Sequence, residues 1–233
     1  MTNMQLAGRL LSAPRRFFSE LAETPRFALP MWLMLLTSLG LAVWFYSIAN
    51  TEWLIEQSLN SNPRSASMTD AQRNAAARFM TRGTLMTISV GTIFIVLFAF
   101  RLLEALWYKI TGGATGHKRS YLQWFAFAWW TSTPGLINFI PAAILLLLSP
   151  PNPTDVGLLQ PLSLNELFFH LQMNQPGYNL VANVSILMLL SLGLAVFGIR
   201  CWSQRSWLYS AVVGLVMPIV LLGGWAVIAM AGK

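Results

Sequence analysis

The feature that most constrains this chain is a series of five long apolar segments, of which residues 121–149 form the longest. This segment has no charged residue. As a helix rising about 1.5 Å per residue, it would exceed the roughly 30 Å hydrocarbon core of a bilayer. Pro134 lies near its middle, and proline removes a backbone donor and interrupts a helix. The sequence therefore predicts a polytopic membrane protein with a kinked third span.

The composition supports a membrane protein and argues against a soluble one. The chain is 55% apolar and only 10% charged, whereas ordinary soluble domains are about 25% charged. Fifteen Lys and Arg against eight Asp and Glu give a formal charge of +7. Because the basic residues flank the apolar segments and form no basic run, we interpret them as anchors that meet anionic lipid headgroups. Nucleic acid is not expected as a partner.

The apolar segments divide the chain into two predicted parts. Residues 1–26 are predicted to form an amphipathic segment at the membrane interface, with Arg9, Arg15 and Arg16 facing lipid headgroups. Residues 27–230 are predicted to form an all-α domain, a bundle of five transmembrane helices with short interfacial helices. The predicted spans cover about residues 27–49, 83–110, 121–149, 178–199 and 207–230.

The distribution of basic residues predicts an orientation in the membrane. With five spans, ten basic residues lie on the side of the N-terminus and five on the opposite side. The positive-inside rule places the richer side in the cytosol. We therefore expect a multi-pass protein of the cell membrane, specifically a bacterial inner membrane, with its N-terminus in the cytosol and its C-terminus outside.

Several short motifs, in a fixed order along five spans, resemble the bacterial branch of the Yip1 family. They are the Pro14-Arg15-Arg16-Phe17-Phe18 run with Thr24-Pro25-Arg26, Gly112-Gly113 before Lys118-Arg119, Pro134, and Tyr178-Asn179. The resemblance covers nearly the whole chain and implies a five-span, non-enzymatic membrane protein. Eukaryotic members interact with Rab GTPases in vesicle trafficking. The chain lacks their tyrosine-glycine-proline motif, so the resemblance does not carry Rab binding over to it.

One pair of charges, Arg101 and Glu104, follows the uncharged part of the second span, and the two lie three residues apart on one helical face. Ionisable groups within a bilayer usually serve a function, which would make them a buried functional pair. The alternative, which we favour, places both at the cytosolic interface, with Arg101 extending toward water.

Four other residues are candidates for structural or interaction roles. Gly112 and Gly113 predict the C-terminal end of the second helix. Pro134 predicts the kink of the third span. Asn138, one turn later, is expected to hydrogen-bond a freed carbonyl or a neighbouring helix. Alternatively, Asn138 coordinates an ion or a substrate, as polar groups do in the broken helices of transporters.

The sequence contains no catalytic, metal-binding or cofactor-binding motif. His117 and His170 are far apart and lack the spacing of metal ligands. We therefore expect no enzymatic activity, no catalytic residue and no cofactor. The favoured function is to organise protein partners or lipids in the membrane, with membrane lipids and unnamed proteins, including a second copy of the chain, as partners. The alternative is a small transporter or channel that uses the kinked third span.

Overall fold

The computed structural model describes residues 3–60, 67–116, 118–173 and 175–231, and these residues are predominantly helical. The longer helices are α1 (Asn3–Ser12), α2 (Pro14–Glu23), α3 (Ala28–Ile48), α4 (Thr51–Asn60), α5 (Asp70–Phe79), α6 (Arg82–Ala114), α7 (Tyr121–Thr131), α8 (Phe139–Leu148), α9 (Tyr178–Asn183), α10 (Ile186–Ser203) and α11 (Trp207–Ala231). Extended pairing within the described ranges is limited to one antiparallel bridge between Ser163 and Ser185.

Five helical segments of the described residues are long and apolar enough to cross a membrane. They are Ala28–Ile48, Arg82–Ala114, Tyr121–Leu148, Ile186–Ser203 and Trp207–Gly224. This result confirms the predicted all-α polytopic fold. The second helix is a few residues longer than the predicted span of 83–110, because it continues through Gly112 and Gly113 to Ala114.

The third span is interrupted at Pro134, as the sequence predicts. Its α-helix ends at Thr131, a 3₁₀ segment covers Thr133–Asn138, and α8 resumes at Phe139. The side-chain hydroxyls next to the break donate to carbonyls of the preceding turn, Thr131 to Phe127 at 3.0 Å and Thr133 to Trp130 at 2.8 Å. The Trp130 carbonyl is the one that loses its helical donor at Pro134, four residues later, and the Thr133 hydroxyl replaces that donor.

The fourth span begins later than predicted. The helix that starts at Tyr178 ends at Asn183, and Val184 is extended. The Val184 carbonyl accepts a hydrogen bond from the backbone N–H of Leu164 at 2.7 Å. This contact with a distant loop replaces the helical hydrogen bond of that carbonyl, so the membrane helix starts at Ile186.

The chain forms two compact units. The first contains Met1–Leu35, Val96–Ile137 and Ile186–Ile228, and the second contains Leu36–Ile95, Asn138–Ser185 and Ala229–Lys233. The second unit has a small apolar core that includes Leu41, Phe45, Leu54, Leu85 and Leu146. In this unit Arg82 donates to the carbonyls of Ser47 and, at 3.1 Å, Ala49. A guanidinium at these last carbonyls stabilises the C-terminal end of α3.

The first unit is built on aromatic side chains, and α2 contributes to its core. Phe17, Phe18 and Leu21 of α2 are fully buried. The Phe17 ring lies 5.2 Å from that of Trp130 and the Phe18 ring lies 5.5 Å from that of Phe127, as measured between ring centroids.

The burial of α2 differs from the predicted interfacial segment. Its apolar face contacts α7 and α10 of the protein rather than lipid. The physical reason is that an amphipathic pattern requires an apolar partner and does not specify whether this is lipid or protein. The division of the chain at residue 26 and the contact of residues 1–26 with lipid stay predictions.

Candidate functional site

Three polar residues of α6 form a buried network in the first unit. Arg101 Nη1 lies 2.5 Å from Glu104 Oε2, and the Tyr108 hydroxyl donates to Glu104 Oε1 at 2.8 Å. The spacings of three and four residues place all three on one helical face. Arg101 Nη1 also donates to the Ala128 carbonyl of α7 at 3.2 Å. The network therefore links two helices of the unit.

The Arg101–Glu104 pair is buried within the protein, whereas its depth in the membrane stays a prediction. Only 15% of the Arg101 side chain and 6% of the Glu104 side chain are exposed. The guanidinium turns toward Glu104 and Ala128, so the expectation of an arginine that extends into water is not met. Both carboxylate oxygens have donors, whereas Arg101 Nε is buried without an acceptor. The geometry is that of a compensated buried ion pair.

Gly112 and Gly113 do not end the second helix as predicted. The helix continues through both to Ala114, and the following turn closes with hydrogen bonds of 3.2 Å from Thr115 N to Gly112 O and from Gly116 N to Gly113 O. Gly116 has φ of +87°, and a left-handed glycine after the last turn is the usual helix stop. The left-handed glycine that follows the helix is therefore Gly116, about one turn after the predicted pair.

Asn138 has a structural partner in the second unit. Its Nδ2 donates to the Leu159 carbonyl at 2.8 Å, which belongs to the 3₁₀ segment Val156–Leu159 of the following loop. The side chain therefore bonds a carbonyl outside its own helix rather than one freed by Pro134. The Trp130 carbonyl, which Pro134 leaves without a helical donor, accepts from the Thr133 hydroxyl instead.

Sequence reasoning missed the polar atoms that hold the N-terminal helices in the first unit. Trp202 Nε1 donates to the Phe18 carbonyl at 2.7 Å, Trp130 Nε1 donates to the Arg26 carbonyl at 2.5 Å, and the Gln123 amide donates to the Ala22 carbonyl. The Ala22 carbonyl is one of the last four of α2, which lack helical donors, whereas Phe18 lies in the middle of this helix and Arg26 follows its end. The signal available in the sequence was the high tryptophan content of residues 124–130 and 202–207.

The described residues contain no group of three or more His, Cys, Asp or Glu side chains that could hold a metal ion. His170 has a left-handed backbone with φ of 50° and ends a helical turn at Asn165–Phe169. His117, the other histidine considered as a ligand, lies outside the described residues.

Comparison with known proteins gives one family match. The model of the Yip1 domain matches residues 8–228, which is nearly the whole chain. The match covers both units and all five membrane-crossing segments. Searches of curated proteins and of solved structures gave no match. The chain therefore belongs to the Yip1 family and is an integral, multi-pass membrane protein.

Proposed function

We propose that this protein is a non-enzymatic membrane organiser, which binds protein partners or lipids through the basic end of its first unit, defined by the ten basic residues assigned to the cytosolic side. We base the proposal on binding because the Arg101–Glu104–Tyr108 network of the first unit is largely buried in helix packing. Glu104 has its two oxygens occupied by Arg101 and Tyr108, which leaves this carboxylate without a free oxygen for a substrate.

The observation that carries the proposal is the segregation of charge. All ten basic residues assigned to the cytosolic side belong to the first unit, together with only three acidic residues. Two of these acids are already paired, Glu20 with Arg9 and Arg16, and Glu104 with Arg101. The unit therefore has a large excess of positive charge, and basic residues near anionic lipids each contribute on the order of 1 kcal/mol of attraction.

The same segregation supports a topology with the N-terminus in the cytosol, and we expect a reporter fused after Lys233 to be active only outside the cytosol. Arg82 is one of the five basic residues assigned to the outer side, and it donates to carbonyls at the end of α3. Part of the positive charge on the outer side therefore stabilises the fold. A fusion at the N-terminus is the control and should report the cytosol. A cytosolic signal from the Lys233 fusion would contradict this orientation.

Photo-crosslinking in native membranes tests the organising role. Leu11 on α1 and Phe79 on α5 are both exposed apolar residues, at 89% and 80%, outside the membrane-crossing segments. Leu11 lies between Arg9 and Arg15 in the first unit, and Phe79 lies in the second. We expect a photoreactive residue at position 11 to give discrete protein or lipid adducts and the same residue at position 79 to give few. Equal adduct patterns from both positions would contradict a binding role for the basic end.

The transporter alternative depends on a free polar group at the break of the third span. Asn138 is the candidate that the sequence analysis names for this role, and its amide donates to the Leu159 carbonyl. An amide that holds a loop in place serves the fold, so this contact supports the organising role over a permeation path.

A further inference from the structure

The chain that follows α8 turns back along this helix. The backbone N–H of Asn50, just after the end of α3, donates to the Pro153 carbonyl at 3.2 Å, which fixes Pro153 at the C-terminal end of the first span. Six residues later, the Leu159 carbonyl accepts from the Asn138 amide at 2.8 Å. Asn138 immediately precedes α8. Residues 153–159 therefore run from the end of α8 back to its start.

The packing of α8 against α3 sets the depth that this segment reaches. Ala142 and Leu146 of α8 share the apolar core of the second unit with Leu41 and Phe45 of α3. In each helix the two residues are four apart and lie on one face, so the helices pack side by side. Exposed apolar side chains continue to the end of α8, where Leu147 is 71% exposed, as expected in lipid. The ten residues of α8 rise about 15 Å, half of the roughly 30 Å hydrocarbon core. A chain that reaches the start of α8 is therefore near mid-bilayer depth.

The length of α10 independently indicates that the preceding chain lies within the membrane. Arg200 is in the last turn of this helix. Residues 186–199, which precede Arg200, rise only about 21 Å and do not cover the hydrocarbon core. Residues before the helix must therefore complete the crossing. Ser185 is the last of them, and it forms the antiparallel bridge with Ser163, four residues after Leu159.

The backbone of this segment is hydrogen-bonded within the protein. The Leu164 N–H donates to the Val184 carbonyl at 2.7 Å. Asn165, which is 3% exposed, accepts from the Leu171 N–H at 2.9 Å and donates to the Leu171 carbonyl at 3.3 Å. Irregular backbone is tolerated at membrane depth only where its polar groups are satisfied without water from the lipid side. The segment meets this condition through its own side chains and the start of the fourth span.

The helical turn at Asn165–Phe169 has a polar side and an apolar side. The Glu166 carboxylate accepts from the amide of the preceding residue at 3.0 Å, and a Cβ at Gly157 would lie 2.6 Å from its atoms. The carboxylate is thus turned toward the protein, as charged groups are at membrane depth. Phe168 and Phe169 are 64% and 55% exposed. Because Gly157 belongs to the segment that descends along α8, these exposed rings lie at a depth where lipid covers them.

We propose that residues 153–169 form a re-entrant segment, which enters the bilayer along α8 and places Phe168 and Phe169 against phospholipid acyl chains. The sequence alone places these residues in a loop between the predicted third and fourth spans. Acyl chains are the occupant that fits, because the rings are apolar and the segment that carries them is bound to the break of the third span. This contact belongs to the second unit, so it goes beyond the organising role proposed for the first unit.

Spin-label accessibility of the full-length protein in liposomes tests the segment. Cys201→Ser removes the native cysteine, and Phe168→Cys, Leu147→Cys or Asn152→Cys then carries a nitroxide. Leu147 on α8 is the lipid reference, and the exposed Asn152, next to Pro153, is the water reference. Collisions with oxygen, which partitions into lipid, are compared with collisions with a water-soluble nickel chelate. We expect the oxygen-to-nickel ratio at position 168 to be close to that at position 147 and several-fold above that at position 152.

The two references make the result decisive. A ratio at position 168 as low as that at position 152 would place the ring in water, in a loop or a water-filled crevice, and would overturn the lipid contact. A ratio at position 147 as low as that at position 152 would place α8 outside lipid and would overturn the re-entrant segment as well. All three positions are exposed, so the substitutions should change stability little, and the unfolding temperature of each variant checks this. None of these outcomes depends on the adducts formed at position 11, so the two proposals fail separately.

Discussion

Replacing Glu104 with Leu is expected to destabilise the protein by about 3–5 kcal/mol, the range found when one partner of a buried ion pair is removed. The substitution leaves Arg101 buried with no counter-charge, since only 15% of its side chain is exposed. It also leaves the buried Tyr108 hydroxyl without its acceptor. The measurement is the free energy of unfolding of the purified protein in detergent.

A double variant separates the loss of the pair from the loss of packing. Arg101→Met combined with Glu104→Leu removes both charges at similar volume, and such replacements are often neutral or stabilising. We expect it to recover most of the stability lost in Glu104→Leu alone. Lys109→Gln, an exposed site on the same helix, should change the free energy of unfolding by less than about 0.5 kcal/mol. A double variant as unstable as Glu104→Leu would show that the ion pair is not the source of the effect.

The Arg101–Glu104 pair also shows which structural features the sequence can predict. The spacing of three residues predicts that the two side chains meet, because this depends only on local helix geometry. Their burial depends on the Ala128 carbonyl and on packing against α7, which lies 27 positions along the chain. No local pattern reports such a contact. The sequence therefore predicts that the two side chains meet, but not how far the protein buries them.

The other predictions also divide into features with a local cause and features that depend on distant parts of the chain. Pro134 interrupts its helix for a local reason, the missing backbone donor, and the break is where the sequence places it. The start of the fourth span depends instead on a hydrogen bond from Leu164 to Val184 across the chain. Gly112 and Gly116 are both plausible helix stops in the sequence, and only the backbone conformation shows which one takes a positive φ.

The docking of α2 is the feature that local patterns were least able to predict, and Gly198 allows it to be tested. A Cβ atom at Gly198 would lie 2.5 Å from ring atoms of both Phe18 and Phe127. Both rings are fully buried, so neither can move aside without disturbing the core. Gly198 therefore permits α10 to approach α2 and α7 closely, as the aromatic core of the first unit requires.

Gly198→Ala is expected to destabilise the protein by about 1–3 kcal/mol, the usual cost of overpacking a core. Gly193→Ala is the matched control on the same helix, because nothing lies within 4 Å of a Cβ at that position. It should be neutral or stabilising by up to about 1 kcal/mol, since alanine favours a helix over glycine.

The two glycine variants should also differ in how firmly α2 is held. If the added methyl group displaces Phe18, trypsin should cleave the detergent-solubilised Gly198→Ala variant after Arg15 or Arg16 faster than it cleaves Gly193→Ala, because cleavage requires local unfolding of α2. Equal stability and equal cleavage rates in the two variants would contradict the close packing of Phe18 between α10 and α7. Such a result would instead support the interpretation that the N-terminal helices lie on the membrane surface, as their amphipathic pattern alone predicts.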